Sequence, residues 1–182
     1  MKDIIEGLKK GATVLYPTDT IWGIGCDATN EEACQKILDI KNRPDTKSFI
    51  LLVDGFPMLQ RYIPEFHEIC YDLADLATRP LTIIYPNATG LAPSVLAADG
   101  SVGIRITNDP ICLQLIRGLK KPLVSTSANL SGQPSPINFE SVDAKIKSNV
   151  DFIVKQRLNE KMTTPSQIIQ IGVSGDVKII RK

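Results

Sequence analysis

The sequence has little of what metal and disulfide chemistry requires. Its 182 residues contain one histidine, His67, and four cysteines at positions 26, 34, 70 and 112, with no pair at CxxC spacing. Protein zinc sites are built from clustered cysteine and histidine, so no metal ligand is predicted. No signal-peptide pattern is present. We therefore expect reduced thiols and a cytoplasmic protein.

Long apolar runs and an excess of one charge are also absent. The longest purely apolar run covers residues 49–53, far short of the roughly 20 needed to cross a bilayer, so no membrane association is expected. Lys and Arg number 21 against 20 Asp and Glu, a net charge of +1. This balance argues against a surface that binds polyanions everywhere, but it leaves room for a local basic patch. Without repeats or a linker, residues 1–182 are predicted to form a single domain.

Helical and strand patterns alternate irregularly along the chain. Helices are predicted at residues 4–10 (capped by Asp3), from Thr29 (in a capping box with Glu32) towards Pro44, over much of 56–78, from Asp109 to 119, and at 139–147. Strands are predicted at 12–16, 49–53, 81–85, 102–106, 123–125, 152–154, 166–171 and 177–181, with a loop at 18–28. The pattern predicts a twisted α/β sheet with some antiparallel pairs, and ligands bind such sheets in the loops beyond the strand ends.

The first candidate loop follows the strand at 12–16. It carries Thr18 and Thr20, the only tryptophan, Trp22, and two glycines two residues apart, Gly23 and Gly25. Glycines would let backbone amides approach a ligand closely. The alternative is a capped turn in which Trp22 anchors the core.

The second candidate loop places three cations within seven residues. Lys41, Arg43 and Lys47 lie at the end of a predicted helix and before a buried strand. They could hold a triphosphate or a carboxylate. The alternative is that they only complement the negative end of the helix dipole.

The third candidate loop continues from the strand that begins at residue 123. Ser125 and Ser127 fall on the same side of the strand, and Asn129 follows. Such side chains could bind sugar hydroxyls, phosphate oxygens or an amino acid, or could cap their own backbone. Arg105 interrupts another apolar strand, where a cation must be paired, reach solvent or meet an anion.

These segments together resemble the YrdC-type (TsaC) family of threonylcarbamoyl-AMP synthases. The matching stretches are YPTDTIWGIGCDA, KNRPDTKSFILLV, RPLTIIYP, VGIRI, STSANLSGQPSP and PSQIIQI, in the family's order between residues 16 and 171. The resemblance implies a YrdC-like twisted, open, mixed α/β sheet with helices packed around it and a concave basic cavity. It also implies that the chain makes threonylcarbamoyl-AMP and pyrophosphate from L-threonine, bicarbonate and ATP, with Mg²⁺ accompanying ATP.

The same resemblance implies roles for individual residues and for partners. Lys41 and Arg43 would be catalytic. The implied ATP contacts are Lys41, Arg43, Ser127, Asn129, Ser135 and Arg181, and the implied threonine contacts are Thr18, Lys47, Arg105, Ser125 and Ser166. Downstream, a threonylcarbamoyl-transferase complex would modify the adenosine beside the anticodon of tRNA.

The sequence departs from the family pattern at two points. Ser48-Phe49 stands where Pro-Leu is common, and Gln167 stands where Thr is common. Two other functions use similar residues. One is a non-catalytic module that binds double-stranded RNA or tRNA by shape. The other is a carbamoyl-adenylate-forming enzyme of hydrogenase maturation, although the zinc-finger-like cysteine pairs of those chains are absent here.

Overall fold

A mixed sheet forms the centre of the structure, a computed structural model that describes residues 1–42 and 49–182. Within those residues the sheet has nine strands in the order β7-β1-β2-β6-β3-β5-β4-β8-β9. In chain order they are β1 (Val14–Tyr16), β2 (Gly23–Gly25), β3 (Ile50–Val53), β4 (Leu81–Tyr85), β5 (Val102–Ile106), β6 (Leu123–Ser127), β7 (Phe152–Ile153), β8 (Gln167–Ile171) and β9 (Val177–Arg181). The predicted mixed α/β sheet is confirmed.

The strand β6 joins the two halves of the sheet. It pairs antiparallel with β2 on one side, where Ser127 faces Gly23, and with β3 on the other, where Ser125 faces Ile50. The neighbouring strand β5 runs parallel to β3, and Arg105 lies beside Leu52. This arrangement brings the hydroxyls of β6 and the cation of β5 to neighbouring parts of one sheet.

Helices pack around the sheet. They are α1 (Lys2–Lys9), α2 (Glu31–Ile40), α3 (Phe56–Tyr62), α4 (Ile69–Asp75), α5 (Pro110–Leu119) and α6 (Ala144–Asn149), with a 3-10 turn at Pro93–Val95. The predicted start of α5 is confirmed, since the Asp109 carboxylate accepts hydrogen bonds from the amides of Ile111 and Cys112. None of these helices is long and apolar enough to cross a membrane, as far as the described residues show.

The predicted start of α2 is wrong by one residue. Asn30 caps the helix by accepting from the Ala33 amide. The hydroxyl of Thr29 instead donates to the Asp27 carboxylate at 2.7 Å. Because Thr29 donates to this nearby carboxylate, its hydroxyl does not cap the helix as the capping-box pattern predicted.

Other element boundaries also differ from the sequence predictions. The predicted loop at 18–28 contains β2, which its two glycines conceal. α1 begins at Lys2, which leaves Asp3 inside the helix rather than at its cap. α6 starts at Ala144 because Phe139 belongs to a turn and packs against Trp22, with 5.2 Å between ring centroids.

Candidate active site

A polar cavity of about 240 Å³ lies over the strands β2, β3, β5 and β6 and the facing ends of β8 and β9. Its described lining contains no carboxylate and is rich in hydroxyls. The polar residues that line it are Thr20, Arg105, Ser125, Thr126, Ser127, Ser135, Ser166 and Arg181. Two guanidinium groups and many hydroxyls, without an acidic group in the described lining, favour an anionic ligand.

Arg105 is the buried cation of this cavity. Its side chain is 3% exposed, and Nη1 donates to Oδ1 of Asp19 at 2.6 Å. Nη2 lies 3.5 Å from the hydroxyl of Thr20, while the buried Nε has no hydrogen-bond partner within the described part of the chain. A buried donor without a partner is costly, so this guanidinium is suited to receive an acceptor from a ligand.

Arg181 reaches the same cavity from the end of β9. Its Nε donates to the carbonyl oxygen of Ser166 at 2.9 Å, and Nη2 lies 3.3 Å from the hydroxyl of Ser166. That hydroxyl also bonds the hydroxyl of Thr82 at 2.8 Å. Burial, and then the charge of Arg105, lower the pKa of Arg181. The two cations therefore share one region of the cavity, where an anion would relieve their repulsion.

Lys41 is buried, contrary to the surface position that a helix-end cation suggests. It is 3% exposed, and its Nζ donates to the carbonyl oxygens of Ser127 and Asn129, the latter at 2.8 Å. Its own carbonyl accepts from the Ser131 amide at 2.9 Å. Lys41 thus fastens the end of α2 to the loop that follows β6.

The side chain of Asn129 shapes the same loop. Its Nδ2 donates to the carbonyl oxygens of Leu130 and Gln133 at 2.9 and 2.7 Å. Its Oδ1 is buried and has no hydrogen-bond partner among the described residues. Ser127 lines the cavity directly, so Lys41 and Asn129 hold in place the segment that presents it.

Thr18 uses its hydroxyl within its own turn. The hydroxyl accepts from the amides of Thr20 and Ile21 at 3.0 and 3.1 Å and donates to the carbonyl oxygen of Ile21 at 2.7 Å. Thr18 is 1% exposed, and it is Thr20 that lines the cavity. Sequence reasoning missed Thr20, although it noted both hydroxyls in this turn.

The structure therefore gathers most of the predicted site residues. Those that line the cavity are Arg105, Ser125, Ser127, Ser135, Ser166 and Arg181. Thr18, Lys41 and Asn129 support the loops beside it. Arg43 and Lys47 lie outside the described residues. Asp19, the partner of Arg105, was not predicted, because a pattern in one segment does not show which strand it will meet.

The chain is similar to known proteins over most of its length. The model of the Sua5/YciO/YrdC family, which carries the description "telomere recombination", matches residues 6–182. A Vibrio cholerae protein named threonylcarbamoyl-AMP synthase is 32% identical over 172 residues, covering 92% of this chain and 90% of that protein. A synthase of the same name from Pseudoalteromonas translucida is 32% identical over 167 residues, covering 90% and 89%.

Among solved structures, the P. abyssi Sua5 complex with L-threonine matches with a TM-score of 0.83 and 25% identity. The match covers 93% of this chain and 50% of that one, so this chain spans about half the length of that Sua5. E. coli YciO matches with a TM-score of 0.82 and 23% identity, covering 100% of this chain and 87% of that one, which supports the fold alone.

Proposed function

The chain belongs to the Sua5/YciO/YrdC family, and we propose that it is a nucleotidyltransferase that makes threonylcarbamoyl-AMP and pyrophosphate from L-threonine, bicarbonate and ATP. The observation that carries the proposal is that Arg105 and Arg181 both line one cavity that is rich in hydroxyl groups. The names of the relatives do not favour an RNA-binding module or a carbamoyl-adenylate enzyme.

We assign the threonine carboxylate to Arg105. Its buried guanidinium has a donor to spare, and the hydroxyls of Ser125 and Ser166 line the same cavity. Thr18 and Lys47 complete the proposed threonine site, Thr18 by shaping the turn that presents Thr20.

We assign the nucleotide to the remaining predicted residues. Arg181, Ser127 and Ser135 line the cavity, and Lys41 and Asn129 fix the loop that follows Ser127. Arg43 belongs to the same proposed set. Unlike Arg105, Arg181 forms no ion pair with a carboxylate in the described residues, so its charge is free to meet a polyanion.

The chemistry suits a site of cations and hydroxyls. The amine of threonine attacks CO2 derived from bicarbonate, loses a proton and becomes an N-carboxylate. One oxygen of that carboxylate then attacks the α-phosphorus of ATP, and pyrophosphate leaves with the electron pair of the broken P–O bond. Each step gathers negative charge, which fixed cations and hydroxyl donors stabilise without a covalent bond to the protein.

We propose that Mg²⁺ enters with ATP. No group of three or more His, Cys, Asp or Glu side chains within the described residues could hold a metal ion, and the described lining has no carboxylate. Phosphate oxygens and water commonly complete the coordination of Mg²⁺ beside a nucleotide. The product would pass to a transferase complex that modifies tRNA, and we propose that this occurs in the cytoplasm.

The testing experiment measures pyrophosphate release by the purified protein with ATP, Mg²⁺ and bicarbonate. Threonine, serine and valine are compared at equal concentration, and the adenylate is identified by mass spectrometry. We expect the order threonine, serine, valine. One methyl group is worth about 1–3 kcal/mol in a pocket, whereas loss of a recognised hydroxyl leaves polar groups of the protein unpaired.

Two results would contradict the proposal in different ways. Pyrophosphate release that does not depend on an amino acid would refute the synthase activity. Equal rates with valine and serine would show that the pocket reads shape alone, and the assignment of hydroxyls to the threonine site would be wrong.

A further inference from the structure

A second cavity, of about 410 Å³, lies beyond the ion pair of Arg105 and Asp19. Its walls include Leu81, Ile83 and Ile104, and Asp19 lies at its border. In the described linings, Arg105 belongs to the first cavity only and Asp19 to the second only. The ion pair therefore forms part of the wall between two cavities.

This placement separates the roles of the two partners. Arg105 lines the first cavity, whereas the carboxylate of Asp19, 2.6 Å from Nη1, belongs to a residue that lines the second. A ligand in the first cavity would touch Arg105 and Thr20. Asp19, which lines only the second cavity, would act on that ligand without touching it, by holding Arg105 in place.

Asp19 also limits how Arg105 can move. An arginine side chain has many rotamers, and holding one of them costs conformational entropy. A charge-assisted bond to a carboxylate fixes the guanidinium plane and is about twice as strong as a neutral hydrogen bond. With Nη1 bound to Asp19 and Nη2 near Thr20, the buried Nε is the donor that has no partner among the described residues.

The nearby Arg181 makes this restraint more important. The charge of Arg105 acts on Arg181, and the two cations repel each other. Removal of the Asp19 carboxylate would leave this repulsion without the counter-charge that now lies 2.6 Å from Arg105. Asp19 both holds Arg105 in place and offsets part of its charge.

We propose that Asp19 is a positioning residue that fixes Arg105 to receive the carboxylate of the amino-acid substrate and leaves the nucleotide to the other cations. This inference rests on the proposed function, because it assigns the two anions of that reaction to different arginines. It predicts that changes at Asp19 affect the use of threonine and spare the use of ATP.

The experiment compares Asp19→Ala and Asp19→Asn with the unaltered protein and measures KM for threonine and for ATP by pyrophosphate release. Asp19→Ala should raise KM for threonine by about tenfold or more, while KM for ATP changes by less than about twofold. Asp19→Asn, which keeps an acceptor oxygen, should give an intermediate KM for threonine.

The matched control is Asp27→Asn. It weakens another carboxylate–cation pair, between Asp27 and Lys121 at 2.7 Å, and Asp27 lines neither described cavity. This variant should lose stability but keep both KM values. Thermal unfolding of every variant shows whether a change in KM accompanies a general loss of structure.

A second comparison tests whether Asp19 acts through Arg105. In an Arg105→Ala background, Asp19→Ala should change kcat/KM for threonine by less than about twofold, since the group it positions is gone. If Asp19→Ala does not fold, Asp19→Asn alone must raise KM for threonine by about threefold or more.

Three outcomes would overturn the inference. They are an unchanged or lower KM for threonine in the Asp19 variants, an equal rise in both KM values, and a full additional loss in the Arg105→Ala background. All three outcomes are measured against unaltered protein that releases pyrophosphate in a threonine-dependent reaction. If the unaltered protein releases no threonine-dependent pyrophosphate, the proposed function itself fails.

Discussion

Replacement of Lys41 by methionine tests the link between α2 and the loop after β6. Methionine keeps the length of the side chain and removes its charge and its donors. In the structure these donors reach the carbonyl oxygens of Ser127 and Asn129 from a side chain that is 3% exposed. The substitution leaves both oxygens without this partner.

The magnitude follows from those two bonds. A hydrogen bond to a charged group contributes about 1.5–3 kcal/mol, so the loss of two costs about 3 kcal/mol or more. For a chain of this size, 1 kcal/mol corresponds to a Tm shift of about 2–4 °C. We therefore expect Tm to fall by about 6–12 °C. KM for ATP should rise by about tenfold as the end of β6 at Ser127 and the loop after it shift.

Calorimetry measures the loss of stability, and pyrophosphate release measures KM. Lys36→Met is the matched control, because Lys36 is exposed and donates to one carbonyl oxygen, that of Gly11, at 3.2 Å. It should cost about 1 kcal/mol or less and leave KM unchanged. A Tm for Lys41→Met within about 2 °C of the unaltered protein would refute the idea that Lys41 fastens this loop.

Gly23→Ala should keep the fold and weaken ligand binding, because the added methyl group meets its neighbours at 3.4 Å or more and lies beside the cavity. Gly25→Ala should lower Tm, because its methyl group overlaps the carbonyl oxygen of Val124. Equal Tm values for the two variants would contradict this. Ser127→Ala and Asn129→Ala should raise KM for ATP more than KM for threonine, and lower Tm with normal kinetics would mean that they only cap the loop. All four cysteines are buried, so Ellman's reagent should detect almost none before denaturation and all four afterwards. Burial raises the pKa of Cys70 from 9.0 to about 11, so its contribution to stability is complete below pH 9 and declines as pH rises towards 11.

The two glycines show how far the sequence alone could lead. Gly23 and Gly25 pointed to close approach of the backbone, but not to what approaches. In the structure they form β2, where a Cβ at Gly25 would overlap Val124 and crowd Tyr16, while a Cβ at Gly23 fits. The neighbours of each glycine come partly from β6, a strand about 100 residues away in the sequence. The local pattern does not contain this information, so it predicted a loop.

The sequence predicted polar site residues best where they lie close together along the chain. Ser125 and Ser127 share a face of one strand, and alternation alone indicated this. The burial of Lys41 depends on carbonyl oxygens 86 and 88 residues away. The pairing of Asp19 with Arg105 likewise spans 86 residues. Composition and periodicity describe neighbours in sequence, and they carry no information on such partners.

The position of Trp22 gives the protein a built-in optical reporter. It is the only tryptophan, it is fully buried, and its neighbours Ile21 and Gly23 both line the polar cavity. Indole emission depends on nearby dipoles and water, so the emission seen on excitation near 295 nm comes from one point beside the site. Occupation of the cavity should alter that emission, which allows ligand affinities to be titrated in unlabelled protein without any turnover.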